Sequence, residues 1–147
     1  MESVRIERIS VLPRDFGLLR TAAESEGFRH LARLEDDWES AAERFDGPGE
    51  ALFGAFDGTG LAGVGGVTRE PTAPETLLRA RRFCVRPESR AAGVGSALVA
   101  AVVAHAHGHA DRLLVNSNAV AMAFWDRAGF VRIDRPGVTH ERMLGIR

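Results

Sequence analysis

The stretch Val85-Arg86-Pro87-Glu88-Ser89-Arg90-Ala91-Ala92-Gly93-Val94-Gly95-Ser96 has the residue types of an anion site. Glycine reaches positive φ and lets the backbone approach a ligand closely. The free N–H groups at the start of a helix, aided by the helix dipole, favour an anion. The amides of Arg90, Ala91, Ala92, Gly93, Val94, Gly95 and Ser96 therefore form a candidate cradle, with Arg90 as a fixed charge and the Ser96 hydroxyl as a further donor. A pyrophosphate suits it. A glycine turn that merely opens a helix has the same local features, and this stretch alone leaves both readings open. It is not a P-loop, because no Gly-Lys-Ser/Thr follows. Nor is it a dinucleotide fingerprint, which needs a third glycine and a later acidic residue.

Other groups have chemical potential of a weaker kind. His105 and His109 would share a helix face, with His107 between them, but a zinc site ordinarily has a further ligand and a second shell. Their placement near a helix C-terminus is favourable without a metal. Glu35, Asp36, Asp37 and Glu39 surround Trp38 and suit either a cationic acceptor or a solvated helix face. Arg79, Arg81 and Arg82 suit an acidic ligand or ordinary ion pairs. These two charge clusters point to opposite substrates.

The elements that must position these residues follow from hydrophobic periodicity. Strands are expected at Val4–Ile9, Ala51–Phe56, Leu61–Thr68, Leu77–Val85, Leu113–Val115, Phe130–Ile133 and Thr139–Leu144. Helical spacing links Phe16, Leu19 and Ala23, then Phe28, Leu31 and Leu34, with Gly27 as the break. A third short helix is expected within Asp36–Phe45. Gly95–His107 is apolar nearly all round and should pack on a sheet. A last helix is expected at Asn118–Ala128, closed by Gly129. The order predicts an α/β (α+β) domain spanning residues 1–147, with a mixed sheet of about seven strands.

The chain has 147 residues and a formal net charge of −1, from 19 basic and 20 acidic residues. That balance argues against a polyanion-binding protein, and so against nucleic acid as a partner. Cys84 is the one cysteine, which excludes an intrachain disulfide and fits a cytoplasmic location. Met1–Arg8 lacks the apolar core of a signal segment, and the longest apolar run is too short for a bilayer, so no membrane association is expected. The chain contains no tyrosine.

Residues 83–131 resemble the GNAT superfamily of N-acetyltransferases. That family's V-x-P-x-x-R-x-x-G-x-G motif stands here as Val85, Pro87, Arg90, Gly93 and Gly95, preceded by Phe83 and Cys84. Its N-x-x-A-x-x-F-Y-x-x-x-G-F motif stands as Asn118, Ala121, Phe124, Trp125, Gly129 and Phe130. The resemblance implies that acetyl-CoA is the co-substrate; no metal is expected, because the histidines lack a further ligand. It implies a pantetheine arm against the strand at Phe83, Cys84 and Val85, a pyrophosphate on the loop Arg90–Ser96, and contacts from Asn118 and Phe124. The implied activity is acetyl transfer to a primary amine of a small molecule or peptide by direct attack, with a homodimer as a possible assembly. Trp125 departs from the pattern, because the family usually places a proton-donating tyrosine there. An indole N–H donates a hydrogen bond but is not a usable acid.

The family often takes its base from a glutamate on the strand that here holds Arg79, Arg81 and Arg82. Glu70, Glu75, His140 and Glu141 are the alternatives, and His140 is favoured because histidine titrates near neutrality. A non-catalytic acyl-CoA-binding domain is the competing expectation. Acetylation of charged tRNA, known among toxins of the superfamily, is disfavoured by the charge balance.

Overall fold

The computed structural model describes residues 4–70, 77–90 and 92–145. Among them, seven strands build one mixed sheet: β1 (Arg5–Arg8), β2 (Ala51–Asp57), β3 (Gly60–Arg69), β4 (Leu77–Val85), β5 (Arg112–Val115), β6 (Val131–Arg135) and β7 (Val138–Met143). The spatial order is β1-β2-β3-β4-β5-β7-β6. Neighbours are antiparallel except β4 and β5, which are parallel. The helices are α1 (Phe16–Ser25), α2 (His30–Glu39), α3 (Val94–Ala106) and α4 (Met122–Arg127). The expected fold class and strand count agree with this architecture.

Alternation along the strands sends side chains to two separate cores. On β2, Ala51 joins the core under α3 and α4, whereas Leu52 joins the core under α1 and α2. The first core combines Val99 and Val102 of α3, Trp125 of α4, and Val67, Leu78, Leu113 and Val115 of the sheet. The second takes the apolar stripes Phe16-Leu19-Ala23 and Leu31-Leu34-Trp38. The β2–β3 turn is set by Asp57, whose carboxylate accepts both the backbone N–H and the hydroxyl of Thr59 at 2.8 Å.

Two helix expectations need correction. No separate helix forms within Asp36–Phe45: α2 runs on through Glu39, and the chain then leaves helical geometry at Ala41 and Phe45, both with positive φ. The Phe45 ring joins the core under α1 and α2 instead. The expected helix Asn118–Ala128 starts as a 3-10 turn over Ala119–Ala121 before α4 begins. The Asn118 side-chain oxygen accepts the Ala121 N–H at 2.9 Å and sets that tighter start.

Candidate active site

The parallel strands β4 and β5 pair only through Leu77, Leu78 and Arg79, opposite Arg112, Leu113 and Leu114. Beyond Arg79, β4 stays with β3 as far as the Val85–Gly63 pair, while β5 stays with β7 as far as the Val115–His140 pair. The two strands therefore diverge and leave a cleft of about 830 Å³ between them. Its walls include Phe83, Cys84 and Val85 of β4, Val115 at the end of β5 and Asn116–Asn118 after it, Phe124 and Trp125 of α4, the α1–α2 connection Glu26–Arg29, and His30 at the start of α2.

A bulge in β4 shapes the wall. Val64 pairs with Cys84 and Gly66 with Arg81, so Arg82 and Phe83 together oppose Gly65. Arg82 has φ +62, a strained conformation for a bulky side chain. The extra residue reverses the facing of the strand. Leu78 and Ala80 pack under α3, and Phe83 does too, whereas strict alternation would have turned Phe83 away.

At the far end of the cleft the chain turns into α3. Gly93 is the N-cap residue at φ +82, which favours glycine. Gly95 meets a different demand: a Cβ there would lie 2.9 Å from the Phe124 ring. The loop is braced from behind by Arg86, which donates to Ser89 Oγ at 2.6 Å and pairs with Asp57. Hydrogen bonds from Thr59, then from Arg86, hold the Asp57 carboxyl at about 2. Arg90 donates to the Val85 carbonyl at 3.0 Å and forms a two-pronged pair with Glu26 at 2.6 and 2.7 Å. Its charge thus already has a partner across the cleft mouth.

A family model described as an acetyltransferase (GNAT) domain matches residues 20–142. The chain belongs to the GNAT acetyltransferase family. A candidate acetyltransferase from Exiguobacterium sp. 255-15 has a similar structure, with 27% identity, a TM-score of 0.88, and 96% of this chain and 93% of that one covered. A GNAT-family counterpart from Desulfovibrio desulfuricans shares 23% identity at a TM-score of 0.74, covering 97% of this chain and 100% of that one. A GNAT acetyltransferase from Brucella melitensis, solved in complex with acetyl-CoA, shares the fold at 13% identity and a TM-score of 0.68, covering 98% of this chain and 90% of that one. No curated protein matches the chain. GNAT enzymes use acetyl-CoA and act on amine acceptors.

The residues matched to the two GNAT motifs meet at this cleft. Phe83, Cys84, Val85, Arg90, Gly95, Asn118, Phe124 and Trp125 all line it. Ala92, Gly93, Val94 and Ser96 stand where the loop enters α3, with the Val94 side chain buried beneath it; Ala91 lies outside the described residues. Trp125 is 5% exposed and meets Phe83, Phe124 and Phe130 edge-on at 5.0 to 5.1 Å. The indole occupies the GNAT tyrosine position as the centre of an aromatic cluster. Burial pushes the Cys84 thiol up to about 11, so it stays protonated near neutral pH.

The favoured base is placed elsewhere. His140 is fully buried, with Nε2–H donating to Asp126 at 2.9 Å and Nδ1 at 2.8 Å from the Thr139 hydroxyl. Both ring nitrogens are occupied, and the side chain is not part of the cleft wall. It ties β7 to α4. Glu70 pairs with Arg79 at 2.6 Å, Glu141 pairs with Arg112 at 3.2 Å, and Glu75 lies outside the described residues. The acidic group around Trp38 is likewise not part of the cleft wall: Glu35 pairs with Arg20, and Trp38 is buried. His105 and His109 stack at 5.8 Å, and among the described residues no group of three or more metal-ligating side chains forms. No helix among those residues is long and apolar enough to cross a membrane.

His30, Arg29 and Arg33 line the cleft and had no signal in the motifs. His30 Nε2 lies 3.0 Å from the Phe83 carbonyl. A carbonyl oxygen only accepts, so Nε2 is the protonated nitrogen and the neutral ring keeps its lone pair on Nδ1. Burial lowers the His30 pKa; Arg82 and Arg33 add to this, while the bond to Phe83 opposes it. The i, i+4 spacing of Arg29 and Arg33 was the one clue in the sequence that a helix face carries charge toward a common target.

Proposed function

We propose that the protein moves the acetyl group of acetyl-CoA directly to a primary amine of a small molecule or peptide. The observation that carries this is the divergence of β4 and β5 beyond Arg79, which opens a cleft ending at the first-turn amides of α3. The amides of Ala92–Ser96 would hold the pyrophosphate, since the Arg90 N–H already donates to the Pro87 carbonyl at 3.3 Å. The backbone of Phe83–Val85 and the Asn118 amide NH2 would bond the pantetheine arm, and Phe124 would pack against it. The Asn118 oxygen is already engaged as a cap, which leaves its NH2 as the group to offer.

Acetyl-CoA supplies a thioester carbonyl carbon, to which the amine nitrogen bonds as the C–S bond breaks, with the electron pair leaving on sulfur and the ammonium proton passing to a base. We assign that proton to His30, whose Nδ1 lone pair has no partner among the described residues. An acyl-cysteine route is disfavoured, since the Cys84 thiol is held protonated. A thiolate of pKa about 8.5 is a fair leaving group without a tyrosine, and the Trp125 N–H would offer it a hydrogen bond.

The test combines a thermal shift with acetyl-CoA and a thiol-release assay over a panel of amines. We expect a raised Tm, release of free CoA with at least one acceptor, and an unmodified Cys84 by mass spectrometry. The absence of any Tm shift overturns the coenzyme site, and binding without turnover across the panel overturns the transfer.

A further inference from the structure

The acceptor side of the cleft is strongly cationic, and two of its arginines have no partner among the described residues. Arg33 of α2 and Arg81 of β4 both line it, and neither side chain has an ion pair or hydrogen bond among the described residues. Arg82, turned by the bulge, reaches only Asp37, at 3.8 Å. Among the described residues Glu26 is the one acidic residue in the wall, and Arg90 already holds it. The arginines sense one another: burial lowers the Arg82 pKa first, Arg81 and Arg33 lower it further, and Asp37 and Glu43 oppose them. Like charges held together at the edge of a cleft are costly unless an anion joins them.

We propose that Arg33, Arg81 and Arg82 receive a carboxylate of the acceptor, which makes the acceptor an amino acid or a similar amine bearing a carboxylate a few bonds from its nitrogen. This rests on the acetyl-transfer reading above and names the substrate class of the same site. His30 stands among these arginines and lines the same wall. A carboxylate on the guanidinium groups would hold the neighbouring amine on the His30 side of the cleft. Planar guanidinium groups match carboxylate geometry. The same charges repel polyamines and other polycations, which is selection by exclusion.

The 3′-phosphate of coenzyme A has the same anionic chemistry, but position argues against it. Arg81 pairs with Gly66 and Val85 with Gly63, three residues apart on β3, so about 10 Å separates them along the sheet, on the side away from the pyrophosphate loop. The 3′-phosphate lies beyond the pyrophosphate, at the end of the coenzyme remote from the thioester.

The experiment measures kcat/KM by thiol release for matched sets of acceptors: amino acids, their carboxamides, and the corresponding decarboxylated amines. We expect the carboxylate-bearing member to be preferred by about tenfold or more. Arg33→Gln and Arg81→Gln should raise KM for that member by about tenfold. They should leave the KM ratio between acetyl-CoA and 3′-dephospho-acetyl-CoA unchanged. Equal or better turnover of the carboxylate-free amines overturns the proposal while leaving acetyl transfer intact. Loss of discrimination between the two coenzymes in either variant also overturns it, by assigning the cluster to the 3′-phosphate. No turnover in any set, with acetyl-CoA still raising the Tm, overturns the transfer reading beneath it.

Discussion

At the scale of the residue, the proton inventory of the cleft turns on His30. Its ordinary pKa of 6.5 is lowered by burial first, with Arg82 and Arg33 adding to the effect. The neutral ring is the working form of a base, so activity should fall as pH drops through a midpoint below 6.5, and it should be flat near neutrality. His30→Gln keeps a donor toward the Phe83 carbonyl but removes the titrating lone pair. We expect kcat to fall by about a hundredfold or more and the acid limb of the kcat/KM profile to disappear, with acetyl-CoA affinity little changed. A retained acid limb would show that another group accepts the proton. Residue type pointed to His140, since histidine as a class suits proton transfer near neutrality, yet burial and two polar partners make it a tie between β7 and α4. Residue type was legible; access to a cleft was not.

At the scale of the element, the decisive pieces are the bulged strand β4 and the entry to α3. The glycines of the loop were legible as an anion-binding turn, but their separate reasons were not. Gly93 supplies a left-handed cap, and Gly95 makes room for Phe124, which comes from a helix some thirty residues on. Gly95→Ala gains about 1 kcal/mol of helix propensity but incurs overpacking of typically about 1–3 kcal/mol. We expect a lowered Tm and weaker acetyl-CoA binding by calorimetry, because Phe124 must move off the loop. Gly17→Ala is the control: it lies in α1 with open space around it, and its Tm should hold or rise. The β4 bulge falls where the consecutive arginines Arg81 and Arg82 break the alternation of the strand. That break alone does not say that a residue is inserted, because the partner strand decides where the pairing slips.

At the scale of the whole molecule, distant elements are tied by a few carboxylates. Asp57 links the β2–β3 turn to Arg86 ahead of the loop, and Asp126 links α4 to Arg132 of β6 and His140 of β7. Both carboxyls sit at about 2, against an ordinary 3.8. For Asp126 the hydrogen bond from Arg132 is the leading cause, followed by that from His140. A folded-state pKa below the unfolded one adds stability above the unfolded value and loses it as pH falls toward the folded one. The protein should therefore lose stability as pH falls from about 4 to about 2. Circular dichroism during acid titration checks this, and Asp57→Asn or Asp126→Asn should flatten the transition in that window.

The sequence by itself determined the seven strands, the helices other than the one expected within Asp36–Phe45, and which donor chemistry the chain resembles. Periodicity and glycine placement are local properties, and two motifs in order on one chain are specific without any contact being known. Tertiary structure alone decided which side chains share the cleft. It gathered His30 and Arg33 from a helix near the start of the chain, Arg81 and Arg82 from a bulged strand, and Trp125 from a helix near the end. It also withdrew His140 into the core. The reason is that a site is made by long-range packing and by the register at which strands pair and part. These depend on how whole surfaces fit, and no stretch of sequence carries that fit within itself.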